Sequence, residues 1–415
     1  NRHQLSVFWI LIREPRLLNV TRLLCDEPAP GDDLRYGEKS IEHGMRLNSV
    51  HQRPIVVWNI TRTCNLHCAH CYASSQDEQY PGELSTAKAK TVLEDLADYK
   101  VPVVLFSGGE PTIRPDLPEL IAYANELGGL NPLISTNGTL LDKPMVKRLW
   151  DAGLRRAGIS MDGMEAVHDK FRGSKGSWKL SLEGIRNSLE AGMRVSLRVT
   201  VTDRNIQDLP QLFDLAEREG IPRVCVYHLA YAGRGEKLLR FDLEHEERRK
   251  MVDYVFERTI QSYAKGHKLE VLTVDNHTDA AYLQMWVDKN MPAESDRVRA
   301  LQARNGGNTA GKGMGNIDNL GNVHPDQFWW NQTIGNVKER KFSEIWEDDS
   351  IELLSNLRDR KSLLPEDCKS CKWLGMCNGN LRVRAESATG EIFGKDPACY
   401  LSEEERQPEL VGAQA

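Results

Sequence analysis

The chain has no long hydrophobic run and no excess of basic residues. No apolar stretch approaches the roughly 18 to 20 residues that a membrane helix needs, and the mean hydropathy is −0.50. Of the 415 residues, 54 are Lys or Arg and 60 are Asp or Glu, which gives a formal net charge of −6. General nucleic-acid binders carry a basic surface instead. The composition therefore predicts neither a membrane nor a nucleic acid as a partner.

The cysteines also lack the pattern of a secreted disulfide framework, which is normally even in number and set in a small chain. This chain has nine cysteines. Three stand together at Cys64, Cys68 and Cys71, four crowd the C-terminus, and Cys25 and Cys225 stand apart. Clustered cysteines favour metal ligation in a reducing compartment, so we expect a cytoplasmic protein.

A strand–helix alternation begins near residue 54. The predicted strands span residues 54–59, 101–106, 133–135, 157–160, 195–200 and 224–228. The predicted helices between them span residues 85–97, 117–127, 143–152, 180–191 and 209–219. Short apolar strands separated by helices are typical of a parallel α/β sheet, either a β/α barrel or a doubly wound sheet.

Polar and glycine-rich segments follow the first four predicted strands. They are the loop that contains Cys64 and the segments 107–111, 135–138 and 160–163. In parallel α/β folds, active sites are built from the C-terminal ends of the strands. We therefore expect these four segments to form one site.

The first of these loops carries the motif Cys64-x-x-x-Cys68-x-x-Cys71, followed by Tyr72. Three thiolates at this spacing can hold three irons of a 4Fe–4S cluster. The fourth iron is then left without a protein ligand, and an open coordination position is what a reactive metal site needs. The alternative is a zinc knuckle completed by His67 or by the neighbouring His70.

The four C-terminal cysteines form a second group, at Cys368, Cys371, Cys377 and Cys399. Four thiolates close the coordination of one 4Fe–4S cluster. A structural zinc site is the alternative for this group as well.

The three-cysteine motif, Tyr72 and the segment Gly108-Gly-Glu-Pro111 at the next strand end resemble the radical S-adenosylmethionine (SAM) enzymes. The resemblance implies an α/β fold with a partial (β/α)6 TIM-like barrel and a 4Fe–4S cluster that binds SAM. It also implies a 5′-deoxyadenosyl radical that abstracts hydrogen from the substrate, and an external electron donor such as flavodoxin or ferredoxin. The residues that it places around SAM are Tyr72, Gly108, Gly109, Glu110, Ser135, Asn137, Ser160, Asp162 and Arg198.

The C-terminal cysteine region resembles the auxiliary-cluster extensions known as SPASM or twitch domains. Two-cluster versions carry a further cysteine near the start of the extension, and Gly313–Asn316 has none here. The resemblance thus implies one auxiliary 4Fe–4S cluster. We divide the chain into a lead-in (1–50), a radical SAM core barrel (51–240), a helical bridging segment with a linker (241–310, polar and glycine-rich from 288) and a SPASM/twitch-like extension (311–415).

Longer stretches resemble the radical SAM enzymes of tetrapyrrole biosynthesis that act on siroheme-derived isobacteriochlorins. These stretches are Pro54–Asn59, Pro81–Leu84, Tyr227–Gly235, Leu272–His277, Gly321–Phe328 and Cys377–Asn380. The lead-in Leu23–Gly37 is more similar to the 12,18-didecarboxysiroheme deacetylases than to the haem d-type enzymes of denitrifiers. The first branch removes two acetate side chains to give Fe-coproporphyrin III, and the second removes propionates.

A tetrapyrrole substrate of this class carries several carboxylates and a central iron. Imidazoles suit iron ligation and proton donation, and arginines suit carboxylates. The candidates for substrate contact or proton donation are His228, His277 and His324. The candidates for carboxylate binding are Arg172, Arg234, Arg382 and Arg384. An ordinary structural role is the alternative for each of them.

Two rival hypotheses remain open. A peptide-modifying radical SAM maturase commonly carries an N-terminal recognition domain or more C-terminal cysteines than the four in this chain. A non-catalytic iron–sulfur or tetrapyrrole-binding protein would not need the polar segments at four strand ends. We favour the tetrapyrrole enzyme and expect it to be a monomer.

Overall fold

The computed structural model describes residues 17–36 and 53–407. Within these ranges, eleven strands form one sheet in the order β1-β8-β7-β6-β5-β4-β3-β2-β9-β10-β11. The strands are β1 Leu18–Asn19, β2 Ile55–Thr61, β3 Val103–Gly108, β4 Asn131–Thr136, β5 Arg156–Ser160, β6 Arg194–Val201, β7 Arg223–His228, β8 Glu270–Val274, β9 Met314–Ile317, β10 Asn322–His324 and β11 Gly335–Asn336. Every neighbouring pair from β2 to β8 is parallel. The carboxyl ends of these strands therefore meet at one edge of the sheet.

Helices cover the outer face of this sheet and build the C-terminal region. They are α1 Val20–Cys25, α2 Asp32–Tyr36, α3 Thr86–Asp98, α4 Leu117–Leu127, α5 Lys143–Asp151, α6 Glu165–Arg172, α7 Ser177–Glu190, α8 Leu209–Arg218, α9 His245–Ala264, α10 Thr278–Asn290, α11 Ser295–Asn305, α12 Phe342–Trp346, α13 Glu352–Arg358, α14 Glu366–Lys369, α15 Leu374–Cys377, α16 Arg382–Thr389 and α17 Glu403–Arg406. The sequence predicts a cap at Ser85, and its side chain accepts the Lys88 amide at the start of α3.

The six predicted strands and the five predicted helices between them are all present, with ends that differ by a few residues. The sheet continues beyond the sixth predicted strand, because β8 pairs in parallel with β7 and β1 pairs antiparallel with β8. Every residue of β8 is buried, as expected for a strand covered on both faces. At the other edge, β9 pairs in parallel with β2 and brings the C-terminal region into the same sheet.

The prediction of a linker from residue 288 onwards is wrong for most of its length. Residues Ser295–Asn305 form α11, and Met314 begins β9. The segment is polar overall but contains two apolar residues at helical spacing, Val298 and Leu301. Both of these side chains are buried. Helix α6, which follows the fourth polar segment, was not predicted from the sequence.

The main core lies between the outer face of the sheet and the helices. Trp58 on β2 and Phe106 on β3 are fully buried there, with ring centroids 6.1 Å apart. The inner face of the sheet carries a smaller apolar set at Ile55, Val103 and Leu133, on three neighbouring strands. In the part of the chain that the structure describes, no helix is long and apolar enough to cross a membrane.

Candidate active site at the strand ends

A large cavity lies against the inner face of the sheet and opens at the carboxyl ends of the parallel strands. Its empty volume, including the part open to solvent, is about 1650 Å³. The sequence-predicted residues that line it are Cys64, Cys68, Cys71, Tyr72, Gly108, Gly109, Ser135, Asn137, Ser160, Asp162, Arg198 and His228. Glu110, His277 and His324 lie outside its wall. The structure therefore brings most of the predicted site residues together around one space.

The three cysteines of the first loop reach this cavity from the end of β2. Each sulfur accepts one hydrogen bond. The donors are the Leu66 amide to Cys64 at 3.5 Å, the Arg172 guanidinium to Cys68 at 3.5 Å and the Ser75 amide to Cys71 at 3.4 Å. The pKa of the Cys64 thiol is raised to about 12, mainly by burial, with smaller contributions from Glu110 and the two neighbouring thiols. A group of buried thiols with donors aimed at each sulfur fits an iron–sulfur cluster, whose irons stabilise the thiolates.

The arrangement of the cysteines differs from a site for one metal ion. Within the described residues, no three His, Cys, Asp or Glu side chains converge closely enough to hold a single ion. Cysteine ligands of a four-iron cluster bind separate irons and do not need to converge on one point. Both cysteine groups are compatible with that wider geometry.

Asp162 holds the arginine that contacts Cys68. Its carboxylate lies 2.6 Å from the Arg172 guanidinium and accepts the Thr200 amide at 2.9 Å. Burial alone would raise the pKa of Asp162, but the field of Arg172 and the hydrogen bond from Thr200 hold it below its usual value. Asp162 and Arg172, predicted to contact SAM and a substrate carboxylate respectively, therefore form an ion pair directed at the first cysteine group.

Gly108 and Gly109 are required where β3 meets the cysteine loop. A Cβ at Gly108 would lie 2.2 Å from the Thr61 carbonyl oxygen, and one at Gly109 would lie 2.2 Å from that of Thr63. Gly109 donates its amide to Thr61 at 2.8 Å. The glycines thus let the end of β3 pack directly on the start of the cysteine loop, and they also form part of the cavity wall.

Glu110 ties the ends of two strands together below the cavity. Its fully buried carboxylate accepts hydrogen bonds from Thr112, from the Thr136 hydroxyl at 2.7 Å and from the Asn137 amide at 2.8 Å. Asn137 in turn donates its side-chain amide to Asn65 of the cysteine loop at 2.9 Å. This network joins the end of β4 to the cysteine loop beside the Gly-Gly segment, and a contact of Glu110 with SAM stays a prediction.

The Arg198 side chain lines the cavity and packs against Gly158 of the neighbouring strand. Its guanidinium donates to the Ser135 hydroxyl at 2.8 Å, and a Cβ at Gly158 would lie 2.2 Å from its Cζ atom. Gly158 therefore provides the space that Arg198 occupies. A glycine within a predicted strand is a known sign of such a close approach, but the sequence analysis did not use it.

Tyr72 also lines the cavity. Its hydroxyl accepts the Asn59 side-chain amide at 2.8 Å and lies 3.3 Å from the Ser107 hydroxyl. Its ring meets that of Phe328 edge to face, with centroids 5.2 Å apart. The C-terminal region thus reaches the cavity through Phe328.

His228 lies at the cavity wall, but both of its ring nitrogens have partners. Nε2 is 2.8 Å from the Asp279 carboxylate and Nδ1 is 2.9 Å from the Arg248 guanidinium. Asp279 also accepts the Tyr400 hydroxyl at 2.8 Å. This buried network favours a positioning role for His228, and its predicted contact with substrate stays a prediction.

The other two predicted histidines lie away from the cavity. Burial lowers the pKa of His277 to about 4, and its backbone amide donates to Asn380 at 2.7 Å. His324 lies 2.9 Å from the Gln332 carbonyl oxygen through Nδ1, and its ring stacks on Trp330. Their predicted catalytic roles stay predictions, and the structure gives both of them structural contacts.

The arginines predicted to bind carboxylates are also engaged within the chain. Arg384 forms a buried ion pair with Asp396 at 2.7 Å. The remaining two donate to backbone carbonyl oxygens, Arg234 to Cys68 and Ser75 and Arg382 to Ile392 and Gly394. Of the four candidates, Arg172 alone lines the cavity.

The four C-terminal cysteines surround a second, smaller cavity. Burial raises the pKa of the Cys368 thiol to about 11, and Cys399 raises the thiol pKa of Cys368, Cys371 and Cys377 in the same direction. Cys399 is therefore near all three of the others, although it lies 22 residues beyond Cys377 in the sequence. The arrangement fits a group with four thiolate ligands.

Comparison with known proteins assigns the family. The profile of the radical SAM superfamily matches residues 58–216. The Fe-coproporphyrin III synthase of Methanosarcina barkeri is 48% identical over 394 residues, which cover 94% of this chain and 98% of that protein. The chain belongs to the radical SAM superfamily. The pre-heme d1 synthase of Dinoroseobacter shibae is 41% identical over 352 residues, 84% of this chain and 87% of that protein.

A radical SAM enzyme of known structure shares the fold. SuiB of Streptococcus suis, bound to S-adenosylmethionine, superposes with a TM-score of 0.66 over 90% of this chain and 84% of that one, at 19% identity. Radical SAM enzymes use a 4Fe–4S cluster and SAM. The three thiols with their N–H donors and the adjacent cavity fit these two groups. The predicted radical SAM fold and enzyme class are confirmed.

Proposed function

We propose that the protein is a radical SAM enzyme of haem biosynthesis that removes two acetate side chains from 12,18-didecarboxysiroheme to give Fe-coproporphyrin III. The 48% identity to the Fe-coproporphyrin III synthase of Methanosarcina barkeri carries this proposal. The match covers 94% of this chain and 98% of that protein.

The lining of the main cavity supports a substrate with an apolar body. Its inner end is apolar, with Ile55, Val103, Leu133, Leu272 and Val274 in the wall. Ligand sites commonly combine such an apolar wall with a few placed polar groups. The cavity is open to solvent at the strand ends, so a substrate can enter it beside the cysteine loop.

The residues of the chain divide the cavity into a cofactor end and a substrate end. Cys64, Cys68 and Cys71 would hold the cluster, with Arg172 aimed at one sulfur. Arg198, held above Gly158 by Ser135, would meet a carboxylate of SAM. When both groups are bound and the cluster is reduced, they supply a 5′-deoxyadenosyl radical that takes a hydrogen atom from the substrate.

The four C-terminal cysteines would hold a second 4Fe–4S cluster. The cysteines lie around one small cavity, which supports this assignment. An external one-electron donor such as flavodoxin or ferredoxin would reduce the first cluster. A monomer and a cytoplasmic location stay predictions.

Iron analysis tests the second cluster. The anaerobically reconstituted protein should hold about eight irons per chain, and a Cys368→Ala, Cys371→Ala variant should hold about four. A wild type with about four irons and bound zinc would show that the second cluster is absent.

Removal of propionates is a second candidate, which the 41% identity to the pre-heme d1 synthase of Dinoroseobacter shibae favours. The two candidates differ in the masses of their products. Anaerobic incubation of the reconstituted protein with didecarboxysiroheme, SAM and a reductant, followed by mass spectrometry, separates them. Loss of two acetates supports the deacetylase, and loss of propionates supports the second candidate. An unchanged tetrapyrrole would leave the peptide-modifying maturase or the non-catalytic binding protein.

A further inference from the structure

One carboxyl group faces the main cavity without a partner in the chain. Asp275 directly follows β8 and lines the cavity beside Val274. Within the described residues it makes no hydrogen bond and no ion pair. Asp162, the other acidic residue on the wall, is held by Arg172 at 2.6 Å. Asp275 is therefore placed to meet something that enters the cavity.

The backbone turns Asp275 towards the cavity. Its φ is +67°, in the left-handed region that residues other than glycine seldom adopt. The next two residues are held by the C-terminal region, because Asn276 donates to the Ala398 carbonyl at 3.1 Å and the His277 amide donates to Asn380 at 2.7 Å. These anchors hold the strained turn, and strained residues of this kind cluster at ligand sites.

The surroundings of Asp275 disfavour its ionised form. Burial raises its pKa well above the usual value, and Asp326, on the segment after β10, raises it further. Two cations lower the pKa of Asp275, namely Arg384 of α16 and Arg198 of β6. Both are already engaged, Arg384 by Asp396 at 2.7 Å and Arg198 by Ser135 at 2.8 Å. These surroundings favour the protonated form of the Asp275 carboxyl group, which would present an O–H donor to the cavity.

We propose that Asp275 contacts the substrate and that its carboxyl O–H donates a hydrogen bond to a carboxylate of the tetrapyrrole. This inference rests on the proposed function, since it needs a polycarboxylate in the cavity. An O–H···O⁻ hydrogen bond is among the strong ones in proteins. An ionised aspartate in the same place would repel the substrate. Asp275 would therefore select a carboxylate-bearing edge of the ring at the end of β8.

Two substitutions at Asp275 distinguish the effect of its hydrogen-bond donor from the effect of the whole side chain. Asp275→Asn keeps an N–H donor and a neutral group, whereas Asp275→Gly removes the side chain. Asn and Gly both tolerate the left-handed backbone, so neither change adds strain. Asp26→Asn is the matched control, because Asp26 has φ +53° at the end of α1 and lies outside the cavity.

Binding of didecarboxysiroheme to the reconstituted proteins, followed by its absorbance, gives the first readout. We expect Asp275→Asn and Asp26→Asn to bind within about threefold of the wild type. We expect Asp275→Gly to bind about tenfold to a hundredfold more weakly, the loss of one hydrogen bond to a charged group. The inference would be overturned if the Asn and Gly variants lost the same amount of affinity for didecarboxysiroheme. It would also be overturned if both variants bound it as tightly as the wild type.

Infrared difference spectroscopy gives the second readout. The wild type should show the carbonyl stretch of a protonated carboxylic acid that is absent from Asp275→Asn. A carboxylate signal assigned to Asp275 at neutral pH would overturn the inference. A wild type that binds no tetrapyrrole would overturn the proposed function and this inference with it, whereas the other contrary outcomes leave the proposed function standing.

Discussion

At the scale of residues, Gly158 sets the place of the Arg198 guanidinium in the cavity wall. It sits on β6 beside Gly158 of β5, and its guanidinium fills the space where a larger residue would carry its side chain. The hydrogen bond to Ser135 then sets its direction. The placement of Arg198 thus depends both on the missing side chain at Gly158 and on the hydrogen bond to Ser135.

Gly158→Ala should displace Arg198 and weaken SAM binding. The added methyl would lie 2.2 Å from the Cζ atom, so the guanidinium must move away from Ser135. We expect SAM affinity to fall by about tenfold, as for a lost charge-assisted hydrogen bond, when measured by equilibrium dialysis with the reconstituted protein. Gly375→Ala, whose added methyl meets no atom within 4 Å, is the control. Equal affinity of the Gly158→Ala variant and the wild type would show that Arg198 does not contact SAM.

His168 should make the folded state sensitive to acid. Its Nδ1 accepts the Asp162 amide at 3.1 Å, and burial lowers its pKa to about 4. The unfolded chain, with a histidine pKa of about 6.5, then binds the proton first as the pH falls. The stabilisation is therefore complete above about pH 6.5 and is lost towards about pH 4, a change of about 3 kcal/mol.

His168→Gln tests this pH dependence, because glutamine offers an acceptor without a titratable proton. Urea unfolding at several pH values should give a shallower dependence of the unfolding free energy for the variant than for the wild type. Parallel pH profiles of the two proteins would contradict the assignment to His168.

At the scale of elements, the turn between β8 and α10 joins the two cysteine regions. Asp275 faces the main cavity, while Asp279 in the first turn of α10 accepts hydrogen bonds from His228 and Tyr400. Tyr400 directly follows Cys399 of the second cavity. The turn therefore connects the wall of one cavity to a predicted cluster ligand of the other.

Tyr400→Phe should loosen this connection. It removes one donor to a buried carboxylate, and we expect the unfolding free energy to fall by about 1–3 kcal/mol in urea. Tyr263→Phe is the control, since Tyr263 is 38% exposed and donates to Glu27 at the surface. The control should change stability by less than about 0.5 kcal/mol. Equal effects of the two substitutions would show that the buried contact adds no stability.

The elements that sequence alone predicts are those with a local signal. The strands from β2 to β7 are apolar runs bounded by turn residues, and Ser85 marks a helix start. By contrast, β9 contains Gly315 and Asn316 and gives no such pattern. The partner of His228 could not be predicted for a related reason, because Asp279 lies 51 residues further along the chain and meets His228 only through the fold.

At the scale of the whole molecule, one sheet runs from the N-terminal strand to the C-terminal region. Asn316 on β9 donates to the Val57 carbonyl at 2.9 Å and to the Asn59 side chain of β2. The predicted boundary at residue 311 therefore lies just before a strand that shares the barrel's sheet. That boundary stays a prediction about domains.

Such a continuous sheet should unfold in one step. Urea unfolding followed by tryptophan fluorescence and by far-ultraviolet circular dichroism should give coincident curves. Two separated transitions would show that the C-terminal region is stable apart from the barrel.

The yield of 5′-deoxyadenosine relative to tetrapyrrole product decides whether the protein is the proposed deacetylase. Incubated anaerobically with didecarboxysiroheme, SAM and a reductant, the reconstituted protein should form Fe-coproporphyrin III and one 5′-deoxyadenosine for each acetate lost. A Cys64→Ala variant should form neither. The account would be contradicted if 5′-deoxyadenosine formed while didecarboxysiroheme stayed unchanged, or if the Cys64→Ala variant made the product as fast as the wild type.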